Sequence, residues 1–226
     1  MSSFVLIPGA GGAKWYWHRV VPLLAKAGHE AIAVDLPGND ESKGLRDYVD
    51  IVMHAIGSRT DVVLVAQSLG GFTAPIVCER TSVRQLVFVN AMIPLPGETA
   101  GAWWKNTDSG KARAEAARRN GYPTEFDPFT YFLHDVPEDV ARAGPSEVRQ
   151  QAESVFAEPC WFEAWPKISI HVIAGAADRF FPIDFQRRVA RERLNQDLDE
   201  ISGGHLLALS NPSELMARFC AYDGAR

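Results

Sequence analysis

A serine, an aspartate and a histidine occur in that order, each in a short segment able to sit just past a buried strand. They are Ser68 in Val65-Ala66-Gln67-Ser68-Leu69-Gly70-Gly71, Asp178 in Ala174-Gly175-Ala176-Ala177-Asp178-Arg179, and His205 in Ser202-Gly203-Gly204-His205. A serine hydroxyl is a weak nucleophile until a base takes its proton, and the base works best when an acid fixes its tautomer. Together the three residue types point to nucleophilic acyl transfer. Each alone has a plainer reading, as a helix cap, a turn residue and a loop histidine. Their order, and the placement of each after a strand, favour the chemical one.

Ser68 lies in a small-x-Ser-x-small pattern, with Ala66 and Gly70 two positions away on either side. A nucleophile elbow needs small residues there because strand and helix backbones approach closely at the sharp turn. Ala66 stands where glycine is commoner and adds one methyl group. A serine at a helix N-terminus also faces free N–H groups and the positive end of the dipole. The Leu69 N–H is therefore a candidate oxyanion donor. Asn90, after the fourth strand, is a second place from which a carboxylate would reach the histidine, but it is neutral, which leaves that role to Asp178.

These residues need elements to carry them. Apolar, branched runs at 4–7, 31–34, 62–66, 86–89 and 168–174 read as buried parallel strands, with a weaker sixth near 198–201. Helical periodicity covers 15–26, 45–56, 69–79, 183–194 and 213–222. The alternation predicts an α/β chain with a mostly parallel, doubly wound sheet of about six strands, whose ligands bind beyond the carboxyl ends of the strands. Ser68, Asp178 and His205 all fall at that edge. The chain is expected to begin directly in its first strand.

Residues 94–166 break the rhythm. They carry seven prolines from Pro94 to Pro159 and a dense aromatic set but no strand pattern, and 108–120 reads as a helix. So long an interval inside a compact chain suggests a lid. We divide the sequence into a core, 1–93 and 167–226, and a helical cap, 94–166. All six tryptophans lie in the opening segment or the cap, and Trp15, Trp17, Trp103, Trp104 and Trp161, with Phe132, are candidate substrate-binding residues. Packing of the cap onto the sheet is the competing role for most of them.

The opening Pro8-Gly9-Ala10-Gly11-Gly12, with Asp35 ending the second strand, imitates a dinucleotide-binding fingerprint. Lys14 occupies the third glycine position, where a side chain obstructs the helix–strand contact, and no Gly-Lys-Ser/Thr phosphate loop follows. No cofactor is expected.

The composition agrees with a small-molecule role. At 226 residues, 46% apolar and 23% charged, the chain can bury a full core without staples, and about one domain with an elaboration is expected. A net charge of -5 argues against nucleic acid and anionic membranes as partners. Three separated cysteines suggest neither disulfides nor zinc, and fit a cytoplasmic location. No histidine pairs at metal spacing; His29, His54, His134 and His171 read as structural. A homodimer is left open.

With these motifs in place, the sequence resembles the α/β-hydrolase superfamily over essentially its whole length, most of all the branch of plant-type carboxylic ester hydrolases (methylesterases) and hydroxynitrile lyases. That branch opens His-Gly-Ala-x-x-Gly-x-x-Trp, and here Pro8 replaces the histidine in Pro8-Gly9-Ala10-Gly11-Gly12-Ala13-Lys14-Trp15. The resemblance implies the α/β-hydrolase fold and an esterase reaction, and makes the Ala10 N–H a second oxyanion donor beside Leu69. The lyases carry a lysine after the histidine; Leu206 resembles the esterases instead. The expected function is hydrolysis of a small, largely apolar ester, lactone or thioester through an acyl-enzyme on Ser68. The alternatives are a cyclase or lyase acting with the same residues, and a binding protein on a retired hydrolase fold.

Overall fold

Along each central strand, successive side chains enter two different apolar clusters. Val5, Ile7, Leu64, Ala66, Phe88 and Val172 face one way, and Phe4, Leu6, Val63, Val65, Val87 and Ile173 face the other. A strand buried on both faces cannot show polar–apolar alternation, so these runs are almost wholly apolar, as parallel sheets covered by helices require. The computed structural model of the protein describes residues 1–144 and 149–224. Positions 145–148 of the expected cap and 225–226 of the expected core lie outside the described residues.

The sheet has six strands, all parallel, in the order β2-β1-β3-β4-β5-β6. They are β1 (Ser3–Ile7), β2 (Glu30–Ala33), β3 (Val62–Gln67), β4 (Gln85–Val89), β5 (Ser169–Gly175) and β6 (Asp199–Ile201). In chain order the helices begin with α1 (Val21–Lys26), α2 (Leu45–Ile56) and α3 (Ala74–Arg80). Between β4 and β5 come α4 (Ala100–Asn106), α5 (Ser109–Asn120), α6 (Glu138–Ala143) and α7 (Ser154–Ala157). The chain closes with α8 (Ile183–Leu194), α9 (Leu207–Ser210) and α10 (Pro212–Gly224). Helices α2, α3 and α8 supply Val49, Val52, Ile76, Val77, Phe185 and Val189 to one cluster. Helices α1 and α10 supply Leu24, Leu215 and Phe219 to the other.

From β1 the chain moves outward to β2, then returns to β3 and travels the opposite way through β4, β5 and β6. The order reverses between β1 and β3, and the helices that follow those two strands, α1 and α3, pack on opposite faces of the sheet. Such a switch point opens a crevice at the carboxyl edge.

Two expected helices are divided. The segment after β1 makes a tight 3-10 turn at Lys14–Trp17 before α1, and the one after β3 makes another at Ser68–Phe72 before α3. In each case a proline enters the first turn of the following helix, at Pro22 and Pro75. Proline suits that position because its missing N–H is not needed there.

The insert between β4 and β5 does not stand apart from the sheet. Trp103, Val155, Cys160 and Phe162 belong to the same buried cluster as β3 and β4. A buried ion pair fastens its beginning: Arg193 of α8 meets Glu98 and donates to the Ile93 carbonyl at 2.7 Å, while the Glu98 carboxylate also takes the Leu95 N–H and the Asn106 amide.

Candidate active site

The turn after β3 is forced by close backbone contacts. Ser68 has φ +49°, a left-handed conformation that side-chain-bearing residues rarely adopt. A Cβ on Gly70 would lie 2.6 Å from the Pro8 carbonyl oxygen, and one on Gly9 would lie 2.8 Å from Ser68 Cβ. The loops after β1 and β3 therefore touch at positions where only glycine fits. The buried Ala66 occupies its place without disturbing the β1 register, pairing with Ile7.

The loops after β5 and β6 bring the two other residues to Ser68. His205 Nε2 lies 3.2 Å from Ser68 Oγ, and His205 Nδ1 lies 2.9 Å from Asp178 Oδ2. An ionised carboxylate only accepts, so the proton between them sits on Nδ1 and the Nε2 lone pair faces the serine hydroxyl. The remaining acceptor sites of Asp178 are taken. Oδ1 receives the N–H groups of Phe180 and Phe181, each at 2.8 Å, and Oδ2 receives the Gln186 amide at 3.2 Å. All three residues are buried. Three phenylalanine rings enclose the imidazole: Phe132 stacks on it, while Phe180 and Phe181 meet it edge-on, each with centroids 5.1 Å away.

Asn90, with φ +44°, ties these loops together. Its Nδ2 donates to the carbonyls of Gly204 and His205 at 2.9 and 3.0 Å, and its Oδ1 accepts from the Gly175 N–H at 2.8 Å. The amide thus acts as donor and acceptor at once, which a carboxylate could not do. Gln67, just before the serine, places its amide nitrogen 3.4 Å from His205 Nε2.

A cavity of about 310 Å³ opens onto Ser68 and His205. Its lining is mostly apolar, including Trp15, Tyr16, Phe132, Leu133, Leu206 and Leu209, with Ala10 beside the serine. Arg149, which no sequence motif signalled, is the single charged residue among the described lining residues. It is held by Asp35 at 2.9 and 3.0 Å and by the Leu36 carbonyl. Burial raises the pKa of the Tyr16 hydroxyl and keeps it neutral. In the Gly9–Gly12 loop, Gly11 N–H donates to Gln151 and Gly12 N–H to the Gly9 carbonyl, and the Ala10 N–H has no partner among the described residues. The residues that imitate a dinucleotide fingerprint make other contacts: a Cβ on Gly11 would lie 2.4 Å from the Arg149 carbonyl oxygen, and Asp35 accepts from the Lys14 N–H and the Arg149 guanidinium.

Of the expected substrate-binding residues, Trp15 and Phe132 line the cavity and the other four do not. Trp17 is fully buried against Tyr16. Trp103 is fully buried, with its indole N–H on the Ile93 carbonyl. Trp104 packs on Phe180 and Phe181, and Trp161 lies under the Arg46 guanidinium. For these four, packing of large apolar rings decides the position. Trp103 and Trp104 reach His205 only indirectly, through Phe180 and Phe181.

Among the described residues, no group of three or more His, Cys, Asp or Glu side chains is placed to hold a metal ion. No helix among them is long and apolar enough to cross a membrane. Cys78, Cys160 and Cys220 are free thiols.

The chain matches the alpha/beta hydrolase family over residues 4–219. It is 28% identical to methylesterase 3 of Arabidopsis thaliana, an alignment covering 94% of this chain and 92% of that one. It is 36% identical to norfluorocurarine synthase 1 of Strychnos nux-vomica, but over only 40% of this chain and 39% of that one. Among solved structures, polyneuridine aldehyde esterase superposes with a TM-score of 0.79 at 21% identity, covering 99% of each chain. A pyrethroid hydrolase from Sphingobium faniae gives 0.76 at 20%, covering 99% of this chain and 98% of that one. At these identities the superpositions speak for the fold, a parallel sheet with flanking helices. The protein belongs to the alpha/beta hydrolase family.

Proposed function

We propose that this enzyme, a carboxylic ester hydrolase by its family and its methylesterase relatives, cleaves small, largely apolar esters through an acyl-enzyme on Ser68. The carrying observation is the unbroken hydrogen-bonded line Ser68–His205–Asp178 at the floor of an apolar cavity. His205 Nε2 takes the Ser68 proton as Oγ attacks the ester carbonyl. The negative charge moves to the carbonyl oxygen, where the N–H groups of Leu69 and Ala10 receive it. The C–O bond to the leaving alcohol then breaks, and His205 returns the proton to that alkoxide. Water repeats the sequence on the acyl-enzyme, and the carboxylic acid departs with Ser68 restored. Asp178 holds the imidazole in the productive tautomer and balances the imidazolium charge in a site where water offers little screening.

The cavity lies near the lower end of the range for small-molecule sites, roughly 300–1,000 Å³. It suits a short acyl or alkyl chain or a single ring, and its apolar lining favours an uncharged substrate. Residues 94–166 act as the cap that selects it, with Phe132 and Leu133 supplied from that segment. The free thiols support a reducing, cytoplasmic setting.

Ser68→Ala is expected to lower kcat/KM for short p-nitrophenyl esters by more than about 1,000-fold with the fold intact by circular dichroism. A variant with near-native turnover would sink the reading. The relative named a synthase supports a second reading, in which the same residues act on a carbonyl compound without net hydrolysis. Mass analysis of products from a panel of esters and carbonyl compounds separates the two.

A further inference from the structure

We propose that Asp135 and His134, neighbours in the insert, are positioning residues that hold the base and its acid in register with the serine. The inference rests on the acyl-enzyme reading above, and it concerns residues that no motif marked for this reaction.

The Asp135 carboxylate accepts the Gly204 N–H, the peptide group one residue before His205. His134 Nε2 donates to the Ala177 carbonyl at 3.1 Å, one residue before Asp178. One dipeptide of the insert therefore grips both loops at the residue preceding each functional side chain. The loops are already joined to one another, Ala177 N–H to the Gly203 carbonyl at 2.9 Å, and Asn90 holds the Gly204 carbonyl from the sheet side. Gly204 is thus fixed at both ends, its carbonyl by the sheet and its N–H by the insert. Two residues earlier in the insert, Phe132 stacks on the His205 ring itself.

The glycines before His205 fit this arrangement. A Cβ on Gly204 would stand 2.7 Å from Asp135 Oδ1 and 2.9 Å from His134 Nε2, so the clamp occupies the space a side chain would need. Gly203 has φ +130°, and a Cβ there would meet Leu207 at 2.7 Å. The other carboxylate oxygen, Asp135 Oδ1, has no hydrogen-bond partner among the described residues and faces His134 Nδ1 at 3.9 Å, so the two clamp residues also face each other.

The test uses the full chain with p-nitrophenyl acetate and compares Asp135→Ala with Asp135→Asn, because the asparagine amide oxygen can still accept the Gly204 N–H. Asp135→Ala should lose about 10- to 100-fold in kcat, the penalty for small misplacement of a reacting group. Its KM should move less than about threefold, and Asp135→Asn should recover most of kcat. The proton NMR signal of His205 Nδ1–H, far downfield in the native protein and in Asp135→Asn, should broaden in Asp135→Ala. Gly204→Ala, which pushes on the same clamp, should reproduce both effects if Asp135→Ala does not fold. Native kcat in Asp135→Ala, or equal loss in Asp135→Ala and Asp135→Asn, would overturn the proposal. Ser68→Ala run in parallel separates the two ideas: if it stays active the acyl-enzyme reading fails, whereas an inactive Ser68→Ala beside a native-like Asp135→Ala removes only the clamp. The NMR signal reports on the clamp in either case.

Discussion

The Phe132 ring lies across the His205 imidazole, with centroids 5.1 Å apart and only 24° between the planes. A residue of the insert thereby covers the imidazole directly, and the ring face is turned toward the group that the proposed mechanism makes cationic. An aromatic face stabilises a nearby cation by about 0.5–2 kcal/mol, more when water is excluded. Phe132→Ala should lower kcat by roughly tenfold while leaving Ser68 reachable by short esters. Steady-state kinetics checks this; an unchanged kcat would mean the ring only fills space.

Trp15 and Trp103 should separate binding from packing. Trp103 is fully buried and bonded to the Ile93 carbonyl, so Trp103→Ala should cost about 3–5 kcal/mol of stability. Trp15 lines the cavity, and Trp15→Ala should change KM or chain-length preference with little effect on melting. Thermal melts with kinetics on a homologous ester series measure both; the opposite pattern would reverse the assignments.

What could be read from the sequence divides along physical lines. Ser68 and Asp178 stand out because each closely follows an apolar run, and strand ends map onto one edge of a parallel sheet; His205 follows the weaker strand Asp199–Ile201 and is marked by its glycine loop and its order after the other two. The β-strands themselves were legible from two-sided burial, which leaves continuous apolar runs such as 62–66. The tryptophans were not, because an indole in a cap has the same sequence appearance whether it faces a ligand or Phe181. Asn90 and Asp135 act through backbone groups distant in sequence, Asn90 on the Gly204 carbonyl and Asp135 on the Gly204 N–H. Such bonds leave no local spacing to detect. In the sequence Asn90 marks only a place without a carboxylate; its value lies in the amide donor and acceptor it supplies.

The ion pair between Glu98 and Arg193 should make stability depend on acid. Burial by itself would raise the Glu98 pKa, but bonds from Arg193, Asn106 and the Leu95 N–H outweigh it and hold the carboxyl below its ordinary value. A folded-state pKa below the unfolded one adds stability that is present above the unfolded value and lost as pH falls through the folded one. Glu98→Gln leaves Arg193 buried without its countercharge and should cost about 3–5 kcal/mol at neutral pH. The gap between native and variant should narrow below about pH 4. Urea denaturation across pH 3 to 8 reads this directly, and a gap that does not change with pH would contradict it.

If Ser68 carries the acyl group, a reagent that captures nucleophilic serines covalently must find it. The native protein treated with a fluorophosphonate should gain one adduct by intact mass, mapped to Ser68 by peptide sequencing. Ser68→Ala should gain none, and His205→Ala should react far more slowly because its serine keeps its proton. An ester-hydrolysing native protein that gained no adduct, or gained it on another residue, would contradict the account.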